Sequence, residues 1–203
     1  MRKMVMGLAG TVFVLLAAAA IFQAVKEPEG PVSPAMVNVA GAEIGGAFAL
    51  TDQNGAEVTS AGLIDGPVLI YFGYTFCPDI CPVDVAVMAD AVDLLAAEGH
   101  QVTPVFISID PARDTPKALA YYADAMHPRM VALTGSEDQI AEVAKAYKVF
   151  YERVDLEDSA AGYLMNHSTF TYLMTPDGAA ALFRNGFPAE EIAGAVAQIL
   201  SRG

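Results

Sequence analysis

The stretch PVLIYFGYTFCPDICPVDVAVMADAVDLLAAEGHQVTPVFISID, Pro67 to Asp110, decides the fold. PVLIYFG (Pro67 to Gly73) is a short apolar run closed by turn residues, the pattern of a central strand buried on both faces. VTPVFISID (Val102 to Asp110) repeats that pattern. Between them Val83, Ala86, Val87, Ala91, Leu94 and Leu95 recur at helical spacing, and Gly99 stands where helices commonly close with a left-handed residue. Strand, helix and strand in this order predict two parallel strands joined by a right-handed crossover. The only two cysteines, Cys77 and Cys81, sit at the joint between the first strand and the helix, and each is followed by proline.

Working outward, AFALTDQNGAEVT (Ala47 to Thr59) reads as a hairpin turning at Asn54-Gly55. Downstream, Thr115 as N-cap and Pro116 at the first helical position start a helix that runs to Met126. Ser136 and Gln139 form a capping box ahead of the stripe Ile140, Val143, Ala144 and Tyr147. HSTFTYLM (His167 to Met174), a turn at Pro176-Asp177-Gly178 and AALFR predict a second hairpin, and Ile192, Val196, Ile199 and Leu200 mark one face of a last helix. The order of elements predicts an α/β chain with a thioredoxin-like fold and an added N-terminal β-hairpin, over residues 47–203.

Ahead of that domain, Met4 to Val25 carries no charge, long enough for a helix to cross the roughly 30 Å hydrocarbon layer. Arg2 and Lys3 precede it, which keeps a short N-terminus cytoplasmic and exports the chain beyond Val25. Residues 1–25 are thus expected to be a membrane anchor, although a cleaved signal peptide shares the charged-then-apolar order. Residues 26–46, with Pro28, Pro31 and Pro34, read as a flexible linker. The expected location is a bacterial inner membrane, single-pass, with the domain facing the periplasm. All 24 acidic residues lie C-terminal to Arg2 and Lys3, and the net charge of −13 argues against nucleic-acid binding.

Two cysteines four residues apart close so short a loop that a structural staple explains them poorly. If Cys77 caps the helix, unpaired backbone N–H groups and the helix dipole favour thiolates there. Thiolates at i and i+4 share a helix face with Cβ atoms about 5–6 Å apart, within reach of one ion at metal–sulfur bonds of about 2.3 Å. Soft thiolates select copper(I) or zinc over magnesium or calcium, and a third donor is needed. The chain has three histidines, and each has a structural reading beside the ligating one. His100 comes just after a helix end, His127 precedes Pro128 between elements, and His167 stands at the start of an expected strand, where α/β folds place sites. Asp79 is a hard donor better suited to capping. Met126, Met130, Met165 and Met174 read as core filler.

Cys77-Pro78-Asp79-Ile80-Cys81-Pro82, then Asp110-Pro111-Ala112-Arg113-Asp114-Thr115-Pro116, Leu133-Thr134-Gly135 and His167-Ser168 resemble, in that order, the Sco/SenC copper-chaperone family. The resemblance runs from about Phe48 to the C-terminus. It implies a thioredoxin-like fold, copper as Cu(I) or Cu(II), and Cys77, Cys81 and His167 as metal ligands. It also implies a metallochaperone aiding assembly of the copper A centre of cytochrome c oxidase. Subunit II of the oxidase is the implied partner, with other copper chaperones or thiol–disulfide reductases beside it. Asn166 stands where the family pattern usually has aspartate, a departure that bears on the orientation of the imidazole.

Two other readings use the same thiols. An exported thiol–disulfide oxidoreductase would need Cys77 and Cys81 as a redox-active pair. MNHSTF (Met165 to Phe170) lacks the proline that thioredoxin-like reductases place opposite the dithiol, which favours the metal. A thiol peroxidase would draw on Thr75, Cys77 and an arginine. The Asp110 to Pro116 segment reads as a turn and helix cap, with partner docking as its functional alternative.

Overall fold

The computed structural model describes residues 35–156 and 161–202. The strands are β1 (Met36–Asn38), β2 (Ala49–Asp52), β3 (Glu57–Thr59), β4 (Val68–Gly73), β5 (Thr103–Ser108), β6 (Val131–Thr134), β7 (Tyr151–Asp155), β8 (Tyr163–His167), β9 (Phe170–Thr175) and β10 (Gly178–Arg184). The helices are α1 (Ser60–Leu63), α2 (Ile80–Ala97), α3 (Pro116–Met126), α4 (Glu137–Ala146) and α5 (Ala189–Leu200).

The two apolar runs pair as predicted: β4 lies parallel to β5, with Tyr71 opposite Phe106. Every residue of β4 is buried, and so are five of the six in β5. Parallel β6 lies beyond β5, and the antiparallel hairpin β9–β10 lies on the other side of β4. The full order is β1-β10-β9-β4-β5-β6-β2-β3, a thioredoxin-like arrangement extended by the β2–β3 hairpin beyond β6. That hairpin turns where expected, with Gly55 at φ +83. Rings of Phe48, Phe72, Tyr147 and Tyr172 pack together in the core. Burying a large apolar side chain such as Phe72 or Leu69 stabilises by about 1.5–3 kcal/mol.

Both predicted caps are present. The Thr115 hydroxyl accepts from Ala118 N–H ahead of Pro116, and Ser136 and Gln139 close a reciprocal box. The last helix buries Ile192 and Val196 and packs against α2.

Four expectations need correction. Met36–Asn38, inside the stretch read as linker, forms β1, because the free edge of β10 pairs with it from Met36↔Phe183 to Asn38↔Ala181. Helix α2 starts at Ile80 and not at the first thiol, since a turn from Tyr74 O to Cys77 N–H takes up the chain first. Its buried face runs through Cys81, Val85, Met88, Val92 and Leu95, whereas Val83 is 56% exposed and Leu94 38%. A helix apolar almost all round offers periodicity more than one face, and packing chose this one.

The fourth correction concerns the run His167 to Met174, which is not one strand. His167 ends β8, which among the described residues pairs with β7 alone in a separate two-stranded ribbon, and β9 begins at Phe170. Ser168 makes the break: its N–H donates to Phe150 O and its hydroxyl accepts from Phe150 N–H, which closes the end of the ribbon. Among the described residues no helix is long and apolar enough to cross a membrane; the expected anchor, Met4 to Val25, lies outside them.

Candidate metal centre

The two sulfurs come from the turn after β4 and the first turn of α2. Cys77 is half-buried and Cys81 fully buried, and both are free thiols. Asp79 occupies the cap position without a capping bond from its side chain. Cys77 Sγ takes that part, accepting from Cys81 N–H at 3.4 Å, so the helix start and the spacing of the thiols are one feature. Gly73 makes room for the second sulfur: a Cβ there would lie 3.1 Å from Cys81 Sγ and 2.9 Å from the Tyr71 ring. Burial pushes the Cys81 thiol well above its usual range, against the lowering by a hydrogen bond from Tyr74 N–H. The expected free thiolates are therefore corrected for Cys81: desolvation outweighs the helix terminus.

His167 approaches from the ribbon. Its Nε2 lies 3.2 Å from Cys81 Sγ, and Nδ1 is 2.8 Å from Ser168 O. A carbonyl only accepts, so Nδ1 carries the proton and the Nε2 lone pair faces the thiol. Burial holds the ring below the usual histidine range, with the Ser168 carbonyl opposing. The ring is thus neutral and ready to ligate. The rings of Tyr71 and Tyr74 stand edge-on to it, with centroids 6.1 and 6.0 Å away.

The ligand atoms of Cys77, Cys81 and His167 all lie within 4.8 Å of one another. Two metal–sulfur bonds of about 2.3 Å laid end to end span nearly that distance. The donor set of two thiols and one neutral imidazole suits a soft ion in a low-coordinate site.

Residues beyond the three candidate donors surround them, and of these the sequence did not single out Tyr71, Asp84 or Tyr163. The Tyr71 hydroxyl donates to buried Asp84 Oδ2 at 3.0 Å, and burial raises the Asp84 carboxyl. Tyr71 is the one residue with a hydroxyl in an otherwise apolar strand, and Asp84 the one acid on the buried face of α2. Those oddities were the available signal. Asp114, fully buried, accepts from the Thr75 N–H and hydroxyl and from Ser108 Oγ, so Thr75 anchors the cysteine turn. This occupation leaves the peroxidase reading without its threonine. Arg113 pairs with Asp110 and lies over the Tyr163 ring at 3.6 Å.

The other histidines lie outside the cluster. His127 is buried, accepts at Nδ1 from Arg129 N–H and has Nε2 3.1 Å from Asp93 Oδ1, a structural histidine. His100 lies past the C-terminal end of α2, where its N–H bonds Leu95 O. Met130 and Met174 are buried in the core, and Met126 and Met165 pack against it, as expected of filler. Asn166 is exposed and alternates away from Tyr163, Met165 and His167. Its replacement of the usual acid leaves the Ser168 bond that orients the ring in place.

Residues 36–201 match the SCO1/SenC family. Protein SenC of Rhodobacter capsulatus is 52% identical over 137 residues, which are 68% of this chain and 61% of SenC. The match therefore spans under two thirds of that relative. Arabidopsis thaliana ScoI, solved with copper bound, is 36% identical with a TM-score of 0.75, covering 79% of this chain and 99% of that one. BsSco, a member of the Sco family of cytochrome c oxidase assembly proteins in which a disulfide switch was identified, is 27% identical with a TM-score of 0.61. There the match covers 80% of this chain and 96% of that one.

Proposed function

This chain belongs to the SCO1/SenC family, and from that premise we propose that it binds copper through Cys77, Cys81 and His167 and serves in the assembly of cytochrome c oxidase. One observation carries the reading. Donors 86 residues apart in sequence meet with Cys81 Sγ 3.2 Å from His167 Nε2, the lone pair of a neutral ring facing the sulfur. The copper-bound Arabidopsis relative and the oxidase-assembly role of BsSco support it.

Copper here is cargo. Each chain residue has a part in taking it up and giving it up. Cys81, buried and protonated, yields its proton as the ion arrives, because ligation needs the thiolate. His167 needs no deprotonation, since the Ser168 carbonyl already holds the ring proton at Nδ1. Cys77, the more accessible sulfur, is where an incoming donor from a receiving protein displaces the first bond. The recipient in this proposal is the copper A centre in oxidase subunit II, and the ion is carried as Cu(I), with Cu(II) also accommodated. Residues 1–25 anchor the chain in a bacterial inner membrane, and a tether from Lys26 to the start of β1 presents the domain to the periplasm.

The test is copper per chain, in full-length protein reconstituted with copper(I) under reducing conditions, alongside Cys77→Ala, Cys81→Ala and His167→Ala. One ion per wild-type chain, lost with either cysteine and held more weakly without the histidine, is expected. Equal retention in all four proteins rejects the site.

A second reading draws on the pairing of a half-buried thiol with a buried one and on the disulfide switch of BsSco. In it Cys77 attacks a partner's disulfide and Cys81 resolves the mixed disulfide, so two electrons leave the pair and the partner gains two thiols. Turnover of a disulfide substrate that persists without copper and in His167→Ala selects this reading over the first.

A further inference from the structure

The segment Asp110 to Pro116 is not needed to bind an ion, yet its side chains reach both halves of the centre. Asp114 accepts from Thr75 N–H at 3.0 Å, two residues ahead of Cys77. Arg113, its neighbour in sequence, turns the other way. Its Nη1 donates to the carbonyls of Tyr163 at 3.0 Å and Ala161 at 3.4 Å, and its guanidinium stacks on the Tyr163 ring. The same group lies 4.8 Å from the Phe76 ring and 5.7 Å from the Tyr74 ring, both in the cysteine turn. Asp110 completes the arrangement, pairing with Arg113 and accepting from the Tyr163 hydroxyl at 2.8 Å.

Tyr163 opens β8 and His167 closes it. Residues two apart share a strand face, so Tyr163, Met165 and His167 point the same way, and the lever from first to last is about 13 Å. The ribbon that carries them is two-stranded and outside the main sheet. A pair of strands alone is marginally stable in water, so its position depends on what grips it. Arg113 is suited to the grip: one planar group bonds carbonyls, pairs with a carboxylate and stacks on an aromatic face, which lysine cannot do at once. The Arg113–Asp110 pair is largely buried, with side chains 15% and 4% exposed, and buried pairs of this kind specify geometry more than they add stability.

We propose that Arg113 is a positioning residue for the third ligand: the Asp110–Asp114 loop is a strut that sets how far the His167 imidazole lies from the two sulfurs. The inference rests on the copper reading of those three residues. Asp114 holds the sulfur side and Arg113 the imidazole side, so adjacent residues of one loop fix the distance between donors that are remote in sequence.

A double-mutant cycle in the full-length protein tests it, with copper(I) affinity measured by competition against a chromophoric chelator. Arg113→Ala is expected to weaken binding about 10- to 100-fold, the range for outer partners of metal ligands. In a His167→Ala background the same substitution is expected to change affinity less than about twofold, because the strut then has no ligand to place. Arg113→Lys falls between. Two more measurements report on the ribbon itself. Amide exchange in metal-free protein should quicken over Tyr163 to His167 and stay unchanged in α2, and the thiolate-to-copper(II) charge-transfer band should shift.

An equal loss in both backgrounds, or none in the wild-type background, overturns the strut. Should Arg113→Ala lack the near-ultraviolet circular dichroism of the wild type, Arg113→Lys takes its place in the cycle, with a smaller loss expected in the wild-type background and less than about twofold in the His167→Ala background. Failure here is separable from failure of the copper reading. If His167→Ala weakens binding and Arg113→Ala does not, only the strut falls; if His167→Ala changes nothing, the three-donor site falls with it.

Discussion

The cysteine half and the histidine half of the centre are built differently. Cys77 and Cys81 lie on a turn and a first helical turn packed onto β4, the wholly buried strand of the main sheet. Cys81 is itself part of the core, against Gly73 and Tyr71. His167 comes instead from a ribbon outside that sheet, held by Ser168 to Phe150, by the Arg113 and Asp110 bonds to Tyr163, and by its contact with Cys81. One half is part of the core, and the other is docked from outside the main sheet. On the copper reading proposed above, that division gives the two sulfurs the larger share of retention and the docked imidazole the smaller.

The largest effect expected from this contrast is on the core side. Cys81→Ser removes the buried sulfur and should abolish stoichiometric copper(I) retention, a loss beyond the about 100-fold typical of outer partners, measured by chelator competition. Retention near the wild-type value would move the weight of the site onto the ribbon and invert the comparison.

Next is His167→Ala, expected to keep the ion on the two sulfurs with affinity lowered about 100-fold, or about 2.7 kcal/mol. Loss as complete as that from Cys81→Ser would mean that the docked half is not adjustable.

The halves also differ in their response to pH. Burial raises the Cys81 thiol and lowers the His167 ring, so at neutral pH the sulfur releases a proton on ligation and the imidazole releases none. Copper(I) affinity should therefore rise with pH, by roughly tenfold per unit for each proton released, and His167→Ala should keep that slope near neutrality. In the metal-free chain the same raised thiol links folding to pH. Its stabilising contribution is whole below the unfolded thiol's pKa and fades as pH climbs towards the folded value. An affinity independent of pH would contradict the buried, protonated Cys81.

Smaller effects probe the packing beneath the sulfurs. Gly73→Ala sets a methyl against the Tyr71 ring, the Phe106 ring and Cys81 Sγ at 2.9–3.1 Å, and should destabilise by about 1–3 kcal/mol in chemical denaturation. Its copper affinity should fall as well, since the crowded atom is one of the three proposed donors. Tyr147→Phe is the control in the same core. The Tyr147 hydroxyl is buried without a partner among the described residues, its pKa pushed up to about 12 by burial, so its removal should change stability by less than about 1 kcal/mol and leave copper binding intact.

The same contrast governs how legible each half is in the sequence. The thiol pair, the apolar runs that become β4 and β5, the cap at Thr115 and the box at Ser136 depend on residues a few positions apart, and periodicity reaches that far. The sequence singles out His167 but misplaces its setting: it ends a ribbon strand and does not begin β9. Nothing in YERVD or YLMNH marks a ribbon apart from the sheet, because alternation in so short a strand does not name its partner. Tyr163, and what Arg113 of the quoted motif touches, stay hidden for the same reason. Their contact joins positions 50 apart.

The sequence by itself determined the donor types, the spacing of the two sulfurs and the strands that carry them, since these depend on local stereochemistry and the burial of apolar runs. Only the tertiary structure decided which face of α2 turns inward, that burial raises the Cys81 thiol, and that the imidazole arrives on a separate ribbon whose Tyr163 carbonyl accepts from Arg113. Desolvation and long-range docking depend on what the folded chain brings alongside a residue, and no short window of sequence contains that neighbour.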